Sequence, residues 1–241
     1  MTGGSGQESE RGAHPVSEEG RPCLFVPDLY REPADAWIDD LIRRYPLALL
    51  VSNGGAGHGP FATNVPVIRD PGAKAKSAAE TSEDILLGHM NRQNPHWEKL
   101  RSGNPVLLAF SGPNAYVSPS IYRLTPAAPT WDFATVHVRG VLEKITSVEE
   151  TLEVVKSTVG DFEGEFGGDW DMSESLDYFR KIVPGVGAFR VVVSRADGMF
   201  KLSQEQEPEV RDRVLKEFTQ RDCGPHREVA ALMGRLQPPA T

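Results

Sequence analysis

The sequence predicts an α+β protein that is mainly β: a closed or half-closed barrel with flanking helices and a C-terminal helix. Three observations carry this expectation. Six or so short segments alternate or run apolar and are bounded by Gly, Pro and Asn clusters, as strands are. Between and after them lie stretches whose apolar residues recur at helical spacing. The run AYVSPSIYRLTPAAPTWDFATVHVRG mixes strand-like alternation with hydroxyls, rings and one histidine, a composition that suits a ligand better than a core.

The elements follow in order. CLFVPDLY reads as a short extended segment, and Pro33 opens a helix whose apolar face is Trp37, Ile38, Leu41 and Ile42. Pro46 ends it. LALLVSN and FATNVPVIRD then form a hairpin across the glycine-rich GGAGHG, and PGAKAKSAAETSED is a polar surface loop before the strand ILLGHM. RQNPHWEKLRSG reads as a short helix. PVLLAFSG and AYVSPS read as two strands around Gly112-Pro113-Asn114, and TVHVRGVLEKI as a strand whose alternation of Val136, Val138 and Val141 slips near Gly140.

After Ser147, VEETLEVVKSTVGDF turns helical, with acids at its start that suit the helix dipole. GEFGGDWD is a loop, and MSESLDYFRKIV a helix capped by Ser173 or a neighbour. GAFRVVVSRADGMFKLSQ reads as a hairpin turning at Asp197-Gly198, and PEVRDRVLKEF as an amphipathic helix. The expected organisation is a disordered leader over 1–21, one domain over 22–220 with a helical insertion at about 147–183, and a polar, Pro-rich tail over 221–241.

Composition narrows the function. With 39% hydrophobic residues among 241, the chain can bury a core. A net charge of −8, with basic residues scattered among acids, argues against direct nucleic-acid binding, and no helix-turn-helix pattern is present. Cys23 and Cys223 lack any disulfide or zinc spacing, no apolar stretch would cross a membrane, and the first residues lack a signal core. A reduced, cytoplasmic setting is expected. Neither a GxSxG elbow nor a GxGxxG fingerprint occurs.

Several side chains are of the kind a flat, polar-edged ligand with a phosphate would use. His89, Asn91 and Asn94 lie in GHMNRQNPHW, where the two amides equally read as caps of the next helix. Ser118 and Ser120 share one face of an extended segment with Tyr116 and Tyr122, although Pro119 also marks a plain edge-strand bend. Trp131 suits either stacking or core, and Thr135 and His137 follow on the same strand, His137 pointing away from its flanking valines. Lys201 and Gln204 end the last strand, where a lysine suits a phosphate or an exposed cap equally.

Taken in order, VPDLY, ALLVSN, TNVPV, GHMNRQNPHW, AYVSPSIY, PTWDFATVHVRG and FKLSQ resemble the PaiB-type family, described as FMN-binding negative transcriptional regulators built on the split barrel of pyridoxamine phosphate oxidase-like flavoproteins. The resemblance runs from about Leu24 to about Phe218. It implies FMN as cofactor, a homodimer with flavin at the subunit interface, and Thr63 and Asn64 on a ligand-lining strand. The chain departs from the family pattern at Ile121, at Arg123 or Leu124, at Asp132 and at Glu205. An acid near a flavin phosphate would repel it, so Asp132 is expected to face a substrate, a basic side chain or the partner subunit.

The resulting expectation is an FMN-dependent oxidoreductase acting on a small organic molecule or reduced nicotinamide, in which His137, Tyr122 or Asp132 donates or orients a proton. Two alternatives stay open. One is a non-catalytic flavin-binding transcriptional regulator acting through a partner; the other is a divergent enzyme that has lost FMN or binds haem.

Overall fold

A computed structural model describes residues 24–236 apart from 56, 58, 73–83 and 169. Six antiparallel strands close into a barrel in the order β1-β2-β3-β6-β5-β4, with β4 returning to β1. They are β1 (Leu47–Ser52), β2 (Phe61–Arg69), β3 (Ile85–Asn91), β4 (Asn104–Val117), β5 (Thr130–Lys144) and β6 (Val186–Lys201). The helices are α1 (Asp35–Arg44), α2 (Pro95–Lys99), α3 (Pro119–Tyr122), α4 (Val148–Phe166), α5 (Leu176–Ile182), α6 (Pro208–Gln220) and α7 (Gly224–Arg235).

Alternate residues of each strand fill the barrel, as a period of two requires. Ala48 and Leu50, Val65 and Val67, Leu108 and Phe110, and Val136 and Val138 all turn inward and are buried. The four apolar residues foreseen on α1 are buried as well, with Trp37 edge-on to Phe200 at 5.2 Å. A smaller core of Ile68, Leu87, Ile145, Val154 and Ala188 seats α4 against β2, β3 and β6.

Ser147 caps α4, its Oγ accepting from the Glu150 N–H. The foreseen loop over GEFGGDWD begins later than expected, because α4 runs on to Phe166.

Several sequence expectations are corrected. CLFVPDLY was expected to be extended, but Asp28–Tyr30 form a 3-10 turn. The two strands around Gly112-Pro113-Asn114 are one strand, β4, with a bulge between Ser111 and Asn114. Inward parity changes there from Phe110 to Ala115 and Val117, as one extra residue demands. Pro113 is tolerated because pairing with β1 stops at Ala109, so no second ladder asks for its missing N–H.

The hairpin at Asp197-Gly198 is likewise absent: both sit mid-strand in β6, opposite His137 and Val136. A local turn signal loses here to pairing with β5 along most of its length. The slip near Gly140 is real but lies on the neighbour. Gly140 and Leu142 remain inward on β5 and Val141 faces out, while Ser194 is the extra residue on β6.

Asp171, rather than Ser173, caps the turn leading into α5; its carboxylate accepts from Ser173 N–H at 2.9 Å and Oγ–H at 2.7 Å. Finally, much of the stretch expected to be a polar tail is α7, whose Val229, Ala230 and Met233 are buried in the main core. The expected leader over 1–21 and most of the loop over 71–84 lie outside the described residues.

Candidate functional site

At one end of the barrel, the start of β2, the end of β3 and the start of β6 frame an open cleft of 440 Å³. That volume falls within the roughly 300–1,000 Å³ of small-molecule sites. Five residues foreseen as cofactor ligands line it together: Thr63, Asn64, His89, Asn91 and Asn94. Pro66, Met90, Ile182, Gly185 and Val186 supply an apolar complement.

Local chemistry explains how these residues are held. Asn91 and Asn94 do act as caps: Asn91 Oδ1 accepts from Gln93 N–H at 2.8 Å, and Asn94 Oδ1 accepts from His96 N–H at 2.9 Å at the start of α2. With their carbonyl oxygens engaged, the amide N–H groups are what remains to offer a ligand. The cap and ligand readings are therefore compatible.

The helical insertion builds the opposite wall. From the end of α5, Ile182 reaches the cleft, and Val183–Gly185 form a 3-10 turn that leads straight into β6. Arg92 ties the two walls together, its backbone N–H donating to Gly185 O at 2.9 Å and its Nε–H to Val186 O at 2.8 Å. A guanidinium is thus anchored beside the cleft.

His89 lines the cleft with its Nδ1 buried and without a hydrogen-bond partner. Desolvation holds its pKa below the usual histidine value, so the ring is neutral at pH 7. An orphaned nitrogen, several amides and hydroxyls, and an apolar wall make a donor set that fits a flat heteroaromatic group bearing polar edges.

Behind Thr63 lies a residue the sequence reasoning passed over. His96, buried on α2, has Nδ1 2.9 Å from Thr63 Oγ1 and Nε2 2.8 Å from Ser52 Oγ, and stacks on Phe61 with centroids 5.4 Å apart. Asn94-Pro95 is a recognisable helix start, which places His96 in the first turn. Nothing in the sequence says which way that turn faces.

The remaining predicted residues lie elsewhere. Asp132 and Lys201 gather near the far end of β6, where the fully buried Asp132 accepts from Ser203 N–H at 3.1 Å and Oγ–H at 2.6 Å. Lys201 Nζ stands 3.7 Å from Asp132, 3.1 Å from Glu205 and 2.9 Å from Thr130 Oγ1. Asp132 thus faces a basic side chain, one of its expected partners. Burial pushes its pKa up to about 6 against the pull of Ser203 and Lys201.

Tyr122 is buried with its hydroxyl unpartnered, its pKa raised by burial and by the Asp132 and Glu205 charges. Gln204 braces the same corner, accepting from Leu202 N–H and donating to Phe200 O and, at 3.3 Å, to Leu29 O.

Ser118 caps α3 and its Oγ is 2.8 Å from that of Ser120, near the exposed Tyr116–Trp131 ring pair at 5.8 Å. Thr135 Oγ1 donates to Phe110 O at 2.9 Å. His137 does point away from the buried Val136 and Val138, on the outer face of β5 that also carries Trp131 and Thr135. Five residues from Asp132 along the strand, it is about 16 Å away and on the opposite face. Of the three alternative proton donors, His137 therefore stands apart, while Tyr122 lies near enough to Asp132 to feel its charge.

A closed antiparallel barrel with a cleft at its rim, polar on β2 and β3 and apolar on α5, defines a small-ligand-binding split barrel. The family model described as "Putative FMN-binding domain" matches residues 24–195, and the chain belongs to that family, the PaiB-type FMN-binding split barrels. FMN is the cofactor named by the family description.

Among curated proteins, the chain is 25% identical over 228 residues to an uncharacterized protein of Emericella nidulans, covering 81% of this chain and 90% of the relative. It is 27% identical over 154 residues to "Protease synthase and sporulation protein PAI 2" of Bacillus subtilis, covering 61% and 71%. Of solved structures, a conserved hypothetical protein from Mycobacterium tuberculosis superposes with TM-score 0.53 at 15% identity, covering 76% of this chain and 94% of that one. A FAD and heme binding protein from Mycobacterium smegmatis gives 0.51 at 16% identity, covering 71% and 73%. These likenesses show the fold. No described helix is long and apolar enough to cross a membrane.

Proposed function

We propose that the protein holds FMN non-covalently in the cleft between β2, β3 and α5 and works as a flavin-dependent oxidoreductase on a small organic molecule. The observation that carries this reading is the convergence of Thr63, Asn64, His89, Asn91 and Asn94 from separate segments onto one cleft in a chain of an FMN-binding family.

When bound, the flavin supplies two-electron redox chemistry. The chain's own contribution is placement. Amide and hydroxyl donors on β2 and β3 fix polar edges, Ile182 and Met90 exclude water from a flat face, and the Arg92 guanidinium lends positive charge for a phosphate. This reading gives proton handling to His89, whose neutral ring lines the cleft, since Asp132 and Lys201 sit near the other end of β6.

The cleft is open on one side, and the outer barrel face of β1, β4 and β5 exposes Leu47, Leu49, Tyr116, Trp131 and Val141. We infer a homodimer that covers this face, consistent with apolar surface of that extent.

A second reading, a flavin-binding regulator, draws on the Bacillus subtilis relative's name. With a net charge of −8, it would act through a protein partner.

The test is the visible spectrum and turnover of the purified protein. The oxidoreductase reading expects an absorption band near ~450 nm that bleaches on reduction, together with oxidation of NAD(P)H or another small donor. FMN binding without any turnover, alongside capture of a DNA-binding partner, would favour the regulator; a protein that takes up no FMN on reconstitution ends both.

A further inference from the structure

Ser52, His96, Thr63 and Asn94 form a continuous hydrogen-bonded chain from the barrel interior to the cleft. Ser52 Oγ meets His96 Nε2 at 2.8 Å, His96 Nδ1 meets Thr63 Oγ1 at 2.9 Å, and Asn94 Nδ2 meets Thr63 Oγ1 at 3.4 Å. His96 is 1% exposed and Ser52 7%. Only Thr63 and Asn94 border the cleft.

The direction of the chain follows from counting protons. A neutral imidazole carries one N–H and one acceptor nitrogen. If that N–H sat on Nε2, it would donate to Ser52, and the Ser52 hydroxyl hydrogen would be left in the interior with no acceptor among the described residues. Stranding a buried donor costs about 1–3 kcal/mol. If the N–H sits on Nδ1, the Ser52 hydroxyl donates to Nε2, Nδ1–H donates to Thr63, and the Thr63 hydrogen is passed on to the cleft. Only this direction leaves no buried donor unmet.

Asn94 is compatible with either direction and fixes only its own role. Its Oδ1 is taken by the His96 backbone N–H, so its Nδ2 faces Thr63 and donates. Thr63 Oγ1 then accepts from both sides and has its own hydrogen left to give.

We propose that His96 is a positioning residue: held as the Nδ1–H tautomer between Ser52 and Thr63, it turns the Thr63 hydroxyl into the cleft as a donor beside the Asn94 amide. The wall so formed recognises an acceptor oxygen of the flavin. This rests on the flavin reading above for the identity of the ligand, but the tautomer does not depend on it. Burial supports the assignment by keeping the ring neutral.

Two substitutions separate positioning from packing. An asparagine amide nitrogen can stand where Nδ1 stands, and a glutamine amide nitrogen where Nε2 stands, while both remove the ring and its stacking on Phe61. His96→Asn should hold FMN within about threefold of the wild type, whereas His96→Gln should weaken it roughly tenfold, the loss of one hydrogen bond in the cleft. Riboflavin measured in parallel locates the oxygen: a loss confined to FMN assigns it to the phosphate, a shared loss to the ring or the ribityl chain.

Equal losses in the two variants would make His96 a packing residue and overturn the proposal. Nitrogen NMR of the unliganded wild type gives the second readout, independent of flavin and of variant folding: Nδ1 protonated is expected, and a protonated Nε2 overturns the relay. A wild type that takes up no FMN refutes the flavin reading instead, while the tautomer still decides the relay.

Discussion

Asp132 and Ser203 are joined by two hydrogen bonds, from Ser203 N–H at 3.1 Å and Oγ–H at 2.6 Å, in a corner where the aspartate is fully buried. Ser203 takes a left-handed backbone, φ 60°, to turn both donors onto one carboxylate. The corner locks the start of β5 to the end of β6, far from the cleft. It ties Asp132, one of the three candidate proton donors, into a structural joint at the strand end.

That joint carries a pH dependence. Burial raises the Asp132 pKa to about 6 in the fold, so the folded state holds its proton more tightly than the unfolded chain does. The stabilisation is complete below the unfolded pKa of about 4 and is lost as pH rises through about 6. Urea unfolding should therefore show wild type losing on the order of 3 kcal/mol relative to Asp132→Asn between pH 4 and pH 7. A pH-independent difference between the two proteins would refute the assignment.

Met233 tests whether α7 belongs to the core. It is fully buried with Val229 in the main cluster. Met233→Ala should destabilise by about 2–5 kcal/mol, as for other large core truncations. A change within ±0.5 kcal/mol in chemical denaturation would return this stretch to the status of a tail.

Gly140 faces the β6 bulge. A Cβ there would collide with the Val192 carbonyl and the Val191 side chain, both part of the pairing strand. Gly140→Ala should cost about 1–3 kcal/mol by overpacking, read as a lowered Tm. An unchanged Tm would mean that the bulge adjusts freely.

Thr63→Val keeps the shape of the side chain and removes its hydroxyl. FMN affinity should fall roughly tenfold, and thermal stability without ligand should fall by about 1–3 kcal/mol because the buried His96 Nδ1–H loses its acceptor. Flavin fluorescence titration measures it; unaltered affinity would remove Thr63 from the site.

Much of the cleft was legible in the chain because its lining residues sit in compact, unusual strings. TNVP and HMNRQNP concentrate amides, hydroxyls and prolines where strands end, and five residues drawn from them meet in one place. The motifs SPS, TWDFATVH and KLSQ are just as distinctive, yet Ser118 caps α3, Thr135 bonds to a carbonyl and Lys201 neutralises Asp132. A conspicuous polar residue satisfies the same local pattern whether it meets a ligand or a buried partner.

The sequence alone determined the mainly β barrel with its helices, the inward faces of α1 and of Val136 and Val138 on β5, and the family. These depend on periodicity and motif order, which neighbouring residues specify. Tertiary structure decided the continuity of β4 and β6 through glycine-rich turn signals, the core position of α7, the joint at Asp132 and the place of His96 behind Thr63. Each of those arises from strand register or helix docking between segments tens of residues apart, where the free energy of pairing and burial outweighs local preference.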